Sequence, residues 1–154
     1  VTLPPFQQLL DAHGPDVHRF LLATVGRDAA DDCYQETWLS ALRAYPRLRD
    51  GSNLRGWLLT IAHRKSIDLL RRRRRAAVPA GELPEVAVLD APAEDHGIWR
   101  LVRELPPKQR TAVALRYAVD ADYALIAASM GISEAAARRN VHEGLKRLRR
   151  EYAP

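Results

Sequence analysis

Between Asp122 and Arg149 the chain sets cations and hydrogen-bonding side chains at a spacing that suits a nucleic-acid surface. Ser133, Glu134, Ala135, Arg138, Arg139, His142 and Lys146 fall on or at the start of one expected helix. Arg138 could donate two parallel hydrogen bonds to a guanine edge, and Arg139 and Lys146, seven positions apart, could follow phosphates. A second cluster is the run Arg71–Arg75, preceded by Arg64 and Lys65. Helical residues seven apart lie near one face, so Arg64 aligns with Arg71 and Lys65 with Arg72 as a basic ridge. A third group has the opposite sign: Asp31, Asp32, Gln35 and Glu36. DNA would repel that group, whereas a protein with basic helices would not. Each pattern has a plainer alternative: a helical hairpin in an ordinary bundle, a helix end rich in cations because its dipole favours them, and a solvated polar face. Five consecutive arginines exceed what a helix end needs, and bases flank both outer faces of the hairpin. Nothing resembles a catalytic constellation. There is no phosphate-binding glycine loop, no nucleophile elbow and no paired histidines. His13, His18, His63, His96 and His142 are scattered, with no metal-ligand spacing. The expectation is no enzyme, no metal and no cofactor.

The elements that must position these groups follow from periodicity. Pro15 is placed to open a helix carrying Val17, Phe20, Leu21 and Leu22. Asp28 is placed to cap a second, on which Ala30, Cys33, Tyr34, Thr37, Trp38, Ala41, Leu42 and Tyr45 recur at three-to-four spacing. The segment Arg47–Ser52 reads as a basic loop, and Asn53 as the cap of a long helix that ends in the arginine run. Residues 76–97 hold Pro79, Pro84, Pro92, Gly81 and Gly97, which predicts a flexible linker. Beyond it, Ile98, Leu101, Val102 and Leu105 form a stripe, Pro106 breaks it and Pro107 opens the next helix. Asp122 caps a short helix, Gly131 ends it and Ser133 caps the last one. In a helix-turn-helix, Ala127 lets the two helices cross closely while Ile132 and Val141 plug the core. No strand pattern and no repeat occurs.

Charge divides the chain in the same places. Residues 1–75 carry net +5, residues 76–97 net −5 with no Lys or Arg, and residues 98–154 net +5. Two basic modules joined by an acidic stretch are expected within 154 residues. The overall +5 suits a polyanionic partner. Cys33 is the sole cysteine, so an internal disulfide is impossible, and a reducing cytoplasm is the simplest setting. Its place on the apolar face suggests a buried thiol. No apolar run is long enough for a membrane span, and no signal-peptide pattern is seen at residue 1.

These features resemble a known family. Asp28-Ala-Ala-Asp-Asp-Cys-Tyr-Gln-Glu-Thr-Trp38 is similar to the D-A-E-D-L-V-Q-E-T-F signature of region two of bacterial RNA polymerase sigma factors. Leu54-Arg-Gly-Trp-Leu-Leu-Thr-Ile-Ala62, with Ile67-Asp68 and the arginines, resembles its continuation. Leu105-Pro-Pro-Lys-Gln-Arg110, Leu115-Arg-Tyr117 and Tyr123–Ile132 resemble region four. With only these two regions, the chain looks like the extracytoplasmic-function group of the sigma-70 family.

The resemblance implies an all-α protein of two small helical domains, residues 1–75 and 98–154, and no enzymatic activity of its own. It implies that Asp31, Asp32, Gln35, Glu36 and Trp38 meet the clamp helices of core RNA polymerase. It assigns Arg49, Asn53, Arg55, His63, Arg64, Lys65, Arg71 and Arg72 to the minus-ten promoter element. Ser133, Glu134, Ala135, Arg138, Arg139, His142 and Lys146 would serve the minus-thirty-five element. An anti-sigma protein is a conceivable further partner, although no residue identifies one. Three departures stand out: Arg64 where the family often has Asn, Asn140-Val-His-Glu143-Gly144 in place of R-L-H-R-A, and Tyr123-Ala-Leu-Ile without the usual glutamates. Two other readings stay open, a regulator that binds duplex DNA without polymerase and a degenerate sigma-like protein. The Asp31–Trp38 face argues against the first, and Glu143 and Gly144 sustain the second.

Overall fold

A computed structural model describes residues 2–77 and 97–152. In chain order they form α1 (Phe6–Val25), α2 (Arg27–Ala44), a 3-10 turn (Tyr45–Arg47), α3 (Leu54–Ala77), α4 (Ile98–Glu104), α5 (Pro107–Ala118), α6 (Tyr123–Met130) and α7 (Glu134–Tyr152). Among the described residues there is no strand. The expected linker lies outside them apart from Ala76 and Ala77, which continue α3, and Gly97.

Two helix starts differ from expectation. α1 begins at Phe6 and runs through Pro15. A proline inside a helix removes one N–H and frees a carbonyl four residues back. Pro15 and Asp11 are both exposed, so water can satisfy the freed group, while Gly14 is buried beneath. Asp28 does not cap α2. The chain turns at Gly26, whose φ of 82° is a glycine conformation, and Asp28 falls inside the first turn, where the dipole still favours it. The other caps are as expected. Gly56 N–H donates to Asn53 Oδ1 (3.0 Å), Leu125 N–H to Asp122 Oδ1 (2.8 Å) and Ala136 N–H to Ser133 Oγ (3.0 Å). Gly131 ends α6 in the left-handed conformation, φ 69° and ψ 37°.

α1, α2 and α3 pack on one another. Val17, Phe20 and Leu21 of α1 meet Ala30, Cys33, Trp38 and Ala41 of α2 and Leu58, Leu59 and Ala62 of α3, all buried. Trp38 is packed edge-on by Phe6 and Tyr34, at ring separations of 5.7 and 6.1 Å. The buried hydroxyls stay satisfied by bonding back along their own helices: Thr24 Oγ1 donates to Phe20 O and Thr37 Oγ1 to Cys33 O. In the second half, α4, α5, α6 and α7 enclose Val113, Ile126, Ala127, Ala137, Val141 and Leu148. The two halves do not keep separate cores. α4 and α5 pack against α1, α6 packs against α3, and one buried cluster runs through both.

Gly144 acquires a reason here. It is buried where α7 crosses α5, and a Cβ at this position would sit 2.7 Å from Val113 Cγ2. Val113 is itself buried and stiff, so it cannot yield cheaply. Overpacking of this kind costs roughly 1–3 kcal/mol and outweighs the gain of up to about 1 kcal/mol in helix propensity. Gly144→Ala is therefore expected to lower the unfolding midpoint, and Gly144→Val to lower it further. Thermal melts followed by circular dichroism measure both.

Candidate nucleic-acid and partner interfaces

The outer face of α7 carries the set expected at the minus-thirty-five element. Ser133, Glu134, Ala135, Arg138, Arg139, His142 and Lys146 are all exposed, while Ala137, Val141, Gly144 and Leu148 face inward. The buried stripe recurs at three-to-four spacing, which forces the cations outward. The cap bond from Ser133 places Glu134 and Arg138 in the first two turns. Arg138 is held on two sides. Its Nη2 lies 3.6 Å from Glu134 Oε2, and its guanidinium carbon lies 5.0 Å from the ring centre of Tyr123. Arg116 approaches the same ring at 4.8 Å. Tyr123 and Arg116 are not among the residues that the sequence places at this site, because their meeting with Arg138 joins α5, α6 and α7. Asn140, a departure from the family pattern, turns inward along its helix, Nδ2 donating to Ala136 O at 3.0 Å. Glu143 is exposed and makes no ion pair among the described residues.

The second set is split. Arg49, Arg64 and Arg71 are exposed, and Lys65 is half-buried. Asn53 is engaged as the α3 cap. Arg72 reaches across to α2, its Nη2 3.7 Å from Glu36 Oε2. Arg55 and His63 point toward the second half of the molecule. Arg55 Nε donates to Asp16 Oδ2 at 3.0 Å, and its Nη2 donates to the carbonyl of Val119. His63 is held below the ordinary imidazole value, first by burial and then by the positive charges of Arg64 and Arg110. His13 is also lowered by burial, with Arg55 adding to the shift and Asp16 opposing it.

The sign of these shifts fixes a pH dependence. A histidine whose folded pKa lies below its unfolded value binds fewer protons when folded. Its stabilising effect is present above about pH 6.5 and is lost as pH falls through the folded value. The unfolding midpoint is expected to drop on going from pH 7.5 to 5.5, and by less in His63→Phe. Thermal melts at matched ionic strength test this.

The acidic set expected to meet polymerase is mostly on the surface. Asp31, Asp32, Gln35 and Glu36 are exposed, with Asp31 Oδ1 3.6 Å from His18 Nε2 of α1. Trp38 is not on this face. It is 6% exposed and belongs to the core, so its indole cannot meet a partner without unpacking. In its place stand Leu39 and Leu42, each 51% exposed. Leu42 was expected inside. The helix buries Ala41 and Thr37 instead, and Leu39 lies one turn beyond Gln35 and Glu36, beside Leu69 and Arg73 of α3 in an open cleft. Cys33 is buried, and burial pushes its thiol up to about 11, with the neighbouring Glu36 charge adding to the shift. It is a core residue.

No group of three or more metal-ligating side chains is gathered among the described residues, and no described helix is long and apolar enough to cross a membrane. A capped helix-turn-helix packed beside a basic three-helix unit is the architecture of a bipartite, all-α DNA-binding protein. Residues 9–76 match Sigma-70 region 2, and residues 96–148 match Sigma-70 region 4. The chain is 32% identical to the RNA polymerase sigma factor CarQ of Myxococcus xanthus, over 94% of this chain and 87% of that protein. It is 34% identical to the ECF RNA polymerase sigma factor SigD of Mycobacterium tuberculosis, over 94% and 76%. The fold is similar to that of the sigma factor RpoE of Bartonella quintana, solved in complex with the anti-sigma factor NepR. The TM-score is 0.79 with 25% identity, covering 94% of each chain. The chain belongs to the sigma-70 family, in its extracytoplasmic-function group. It is a promoter-recognition factor that acts with core RNA polymerase in transcription initiation.

Proposed function

We propose that three separate faces divide this work, within functional modules at residues 1–75 and 98–154. The outer face of α2, through Asp32, Gln35, Glu36 and the exposed Leu39 and Leu42, meets core polymerase. The α3 cations and the loop before them serve the minus-ten element, and α7 reads the minus-thirty-five element through Arg138. The polymerase supplies the chemistry, so the sigma factor has no reaction of its own, and it works in the reducing cytoplasm. The observation that carries the reading is a change of sign across the first module. An acidic and apolar α2 face lies directly against a cationic α3, tied to it through Glu36 and Arg72. A regulator that binds only duplex DNA has no use for such a face. An anti-sigma protein is a further partner class on this reading, since the similar sigma factor RpoE is solved in complex with the anti-sigma factor NepR.

The testing experiment is run-off transcription with purified core polymerase on candidate promoters, with and without this chain. Initiation dependent on the added chain is expected, and its failure on every template would remove the reading. The arginine run supplies a quantitative arm. Arg71 is exposed and makes no ion pair among the described residues, whereas Arg72 is partly neutralised by Glu36. Replacing Arg71 and Arg75 with Ala should weaken holoenzyme binding to all promoter sequences alike. The slope of log affinity against log salt should fall by about 0.9 per lost phosphate contact on duplex and about 0.7 on single strands. An unchanged slope would assign the run to another task.

A further inference from the structure

The docking of the two halves rests on a small polar site that sequence motifs do not assign. Arg19 and Arg55, from α1 and α3, share the carboxylate of Asp16: Arg19 Nη2 donates to Oδ1, and Arg55 Nε to Oδ2 at 3.0 Å. Each arginine also reaches the carbonyl end of α5. Arg19 Nε donates to Ala118 O at 3.3 Å, and Arg55 Nη2 donates to Val119 O. The last carbonyls of a helix have no partner within it and carry the negative end of its dipole, so paired guanidiniums are well matched to them. Asp16 is only 19% exposed on its side chain and holds both forks in place. Val119 is buried, and its carbonyl belongs to a turn held on the other side by Ala121 N–H donating to Leu115 O.

We propose that Asp16, Arg19 and Arg55 form an intramolecular site that grips the end of α5, and that this grip competes with promoter engagement for Arg55. The inference rests on the reading above, in which Arg55 serves the minus-ten element. Geometry makes the two uses exclusive. Elements named for positions minus ten and minus thirty-five lie about 25 base pairs apart, or about 85 Å at 3.4 Å per pair. A compact chain of this length has a radius of gyration of about 15 Å. With α6 packed on α3, the docked chain cannot reach both elements, and Arg55 and His63 face the second module rather than solvent. Initiation therefore requires the grip to open. His63 of α3 and Arg110 of α5 are each disfavoured in their charged form, first by burial and then by neighbouring positive charge, Arg64 and Arg110 acting on His63 and Arg74 on Arg110, so the docked state also confines like charges that a phosphate backbone would relieve.

The test uses the full chain in a Cys33→Ala background with spin labels on cysteines replacing the exposed Arg43 and Arg150, one in each half. Double electron–electron resonance on the free protein should show one short, narrow distance population. Arg19→Gln and Asp16→Asn should add a longer, broad population. Losing one charge-assisted hydrogen bond should favour the open form by about tenfold. Arg19 and Asp16 lie outside the predicted promoter contacts, so the same variants should bind core polymerase faster than wild type while keeping its helicity. A broad wild-type distribution, or unchanged distances in both variants, would overturn the grip. Open variants that gain nothing in holoenzyme formation would overturn the competition. Arg55→Gln separates the underlying reading: opening without loss of minus-ten melting in the holoenzyme would show that Arg55 is not a promoter contact, while the grip itself stands.

Discussion

Replacing Leu39 and Leu42 together with Ser is expected to weaken core polymerase binding by about thirtyfold or more, with no loss of helicity or thermal stability. Both side chains are half exposed in the free chain, so the fold gains little from them. Burying the remaining apolar surface of two leucines against a partner amounts to about 2 kcal/mol, which sets the thirtyfold. Asp32 and Glu36 flank that patch and act differently. Rim charges mainly steer encounter, so Asp32→Lys with Glu36→Lys should slow association and reverse its salt dependence. Reversal of Glu36 also sets Lys against Arg72, which makes this the larger effect at low salt. Association kinetics by surface-immobilised core polymerase, at two salt concentrations, separate the arms. Wild-type affinity in the leucine variant would remove α2 from the docking surface.

Arg138→Ala should relax sequence preference at one position of the upstream promoter element. A bidentate arginine–guanine pair contributes about 1–3 kcal/mol of discrimination, equivalent to about five- to 150-fold. Lys146→Ala should instead weaken every sequence by the same factor, as expected for a phosphate contact. The ring of Tyr123 beneath Arg138 and the carboxylate of Glu134 beside it restrict where the guanidinium points. Tyr123→Leu should therefore lose part of the same preference, and Tyr123→Phe should keep it, since the ring face and not the hydroxyl holds the cation. The measurement is holoenzyme binding across a library randomised in the upstream element. Unchanged preference in Arg138→Ala would take base reading away from this residue and strengthen the degenerate-sigma alternative.

Much of this site was legible in local pattern because its causes are local. Asn53, Asp122, Gly131 and Ser133 act within a turn of their own position, so type and spacing suffice to place them. In the second half of the chain, Pro107 as the first residue of α5 and Val141 on the inward side of α7 followed for the same reason. Pro15 misled because proline usually marks a helix start, whereas here an exposed position lets the helix carry it. Leu42 misled because the apolar arc from Ala30 to Tyr45 is wider than the surface that α1 and α3 cover, and Trp38 misled in the opposite sense, because Phe6 and Tyr34 cover a ring that the resemblance places at a partner. Periodicity ranks a face but does not say where its edge falls. Gly144 looked like a defect in the recognition helix until Val113 was found against it.

From the order of its residues alone, most of this protein's helices, the caps at Asn53, Asp122, Gly131 and Ser133, its family and the sign of each surface were already determined, because these depend on neighbours within a few positions or on total charge. Tertiary structure alone decided which groups face one another across long separations. Arg55 meets Val119, Glu36 meets Arg72, and Tyr123 lies under both Arg116 and Arg138. The physical reason is that a guanidinium can satisfy a carboxylate, a carbonyl, an aromatic face or a phosphate, and its type is the same in each case. The choice is made by what packing brings within about 3 Å of it, and in this chain packing hands two of the expected promoter contacts, Arg55 and His63, to the protein's own second half.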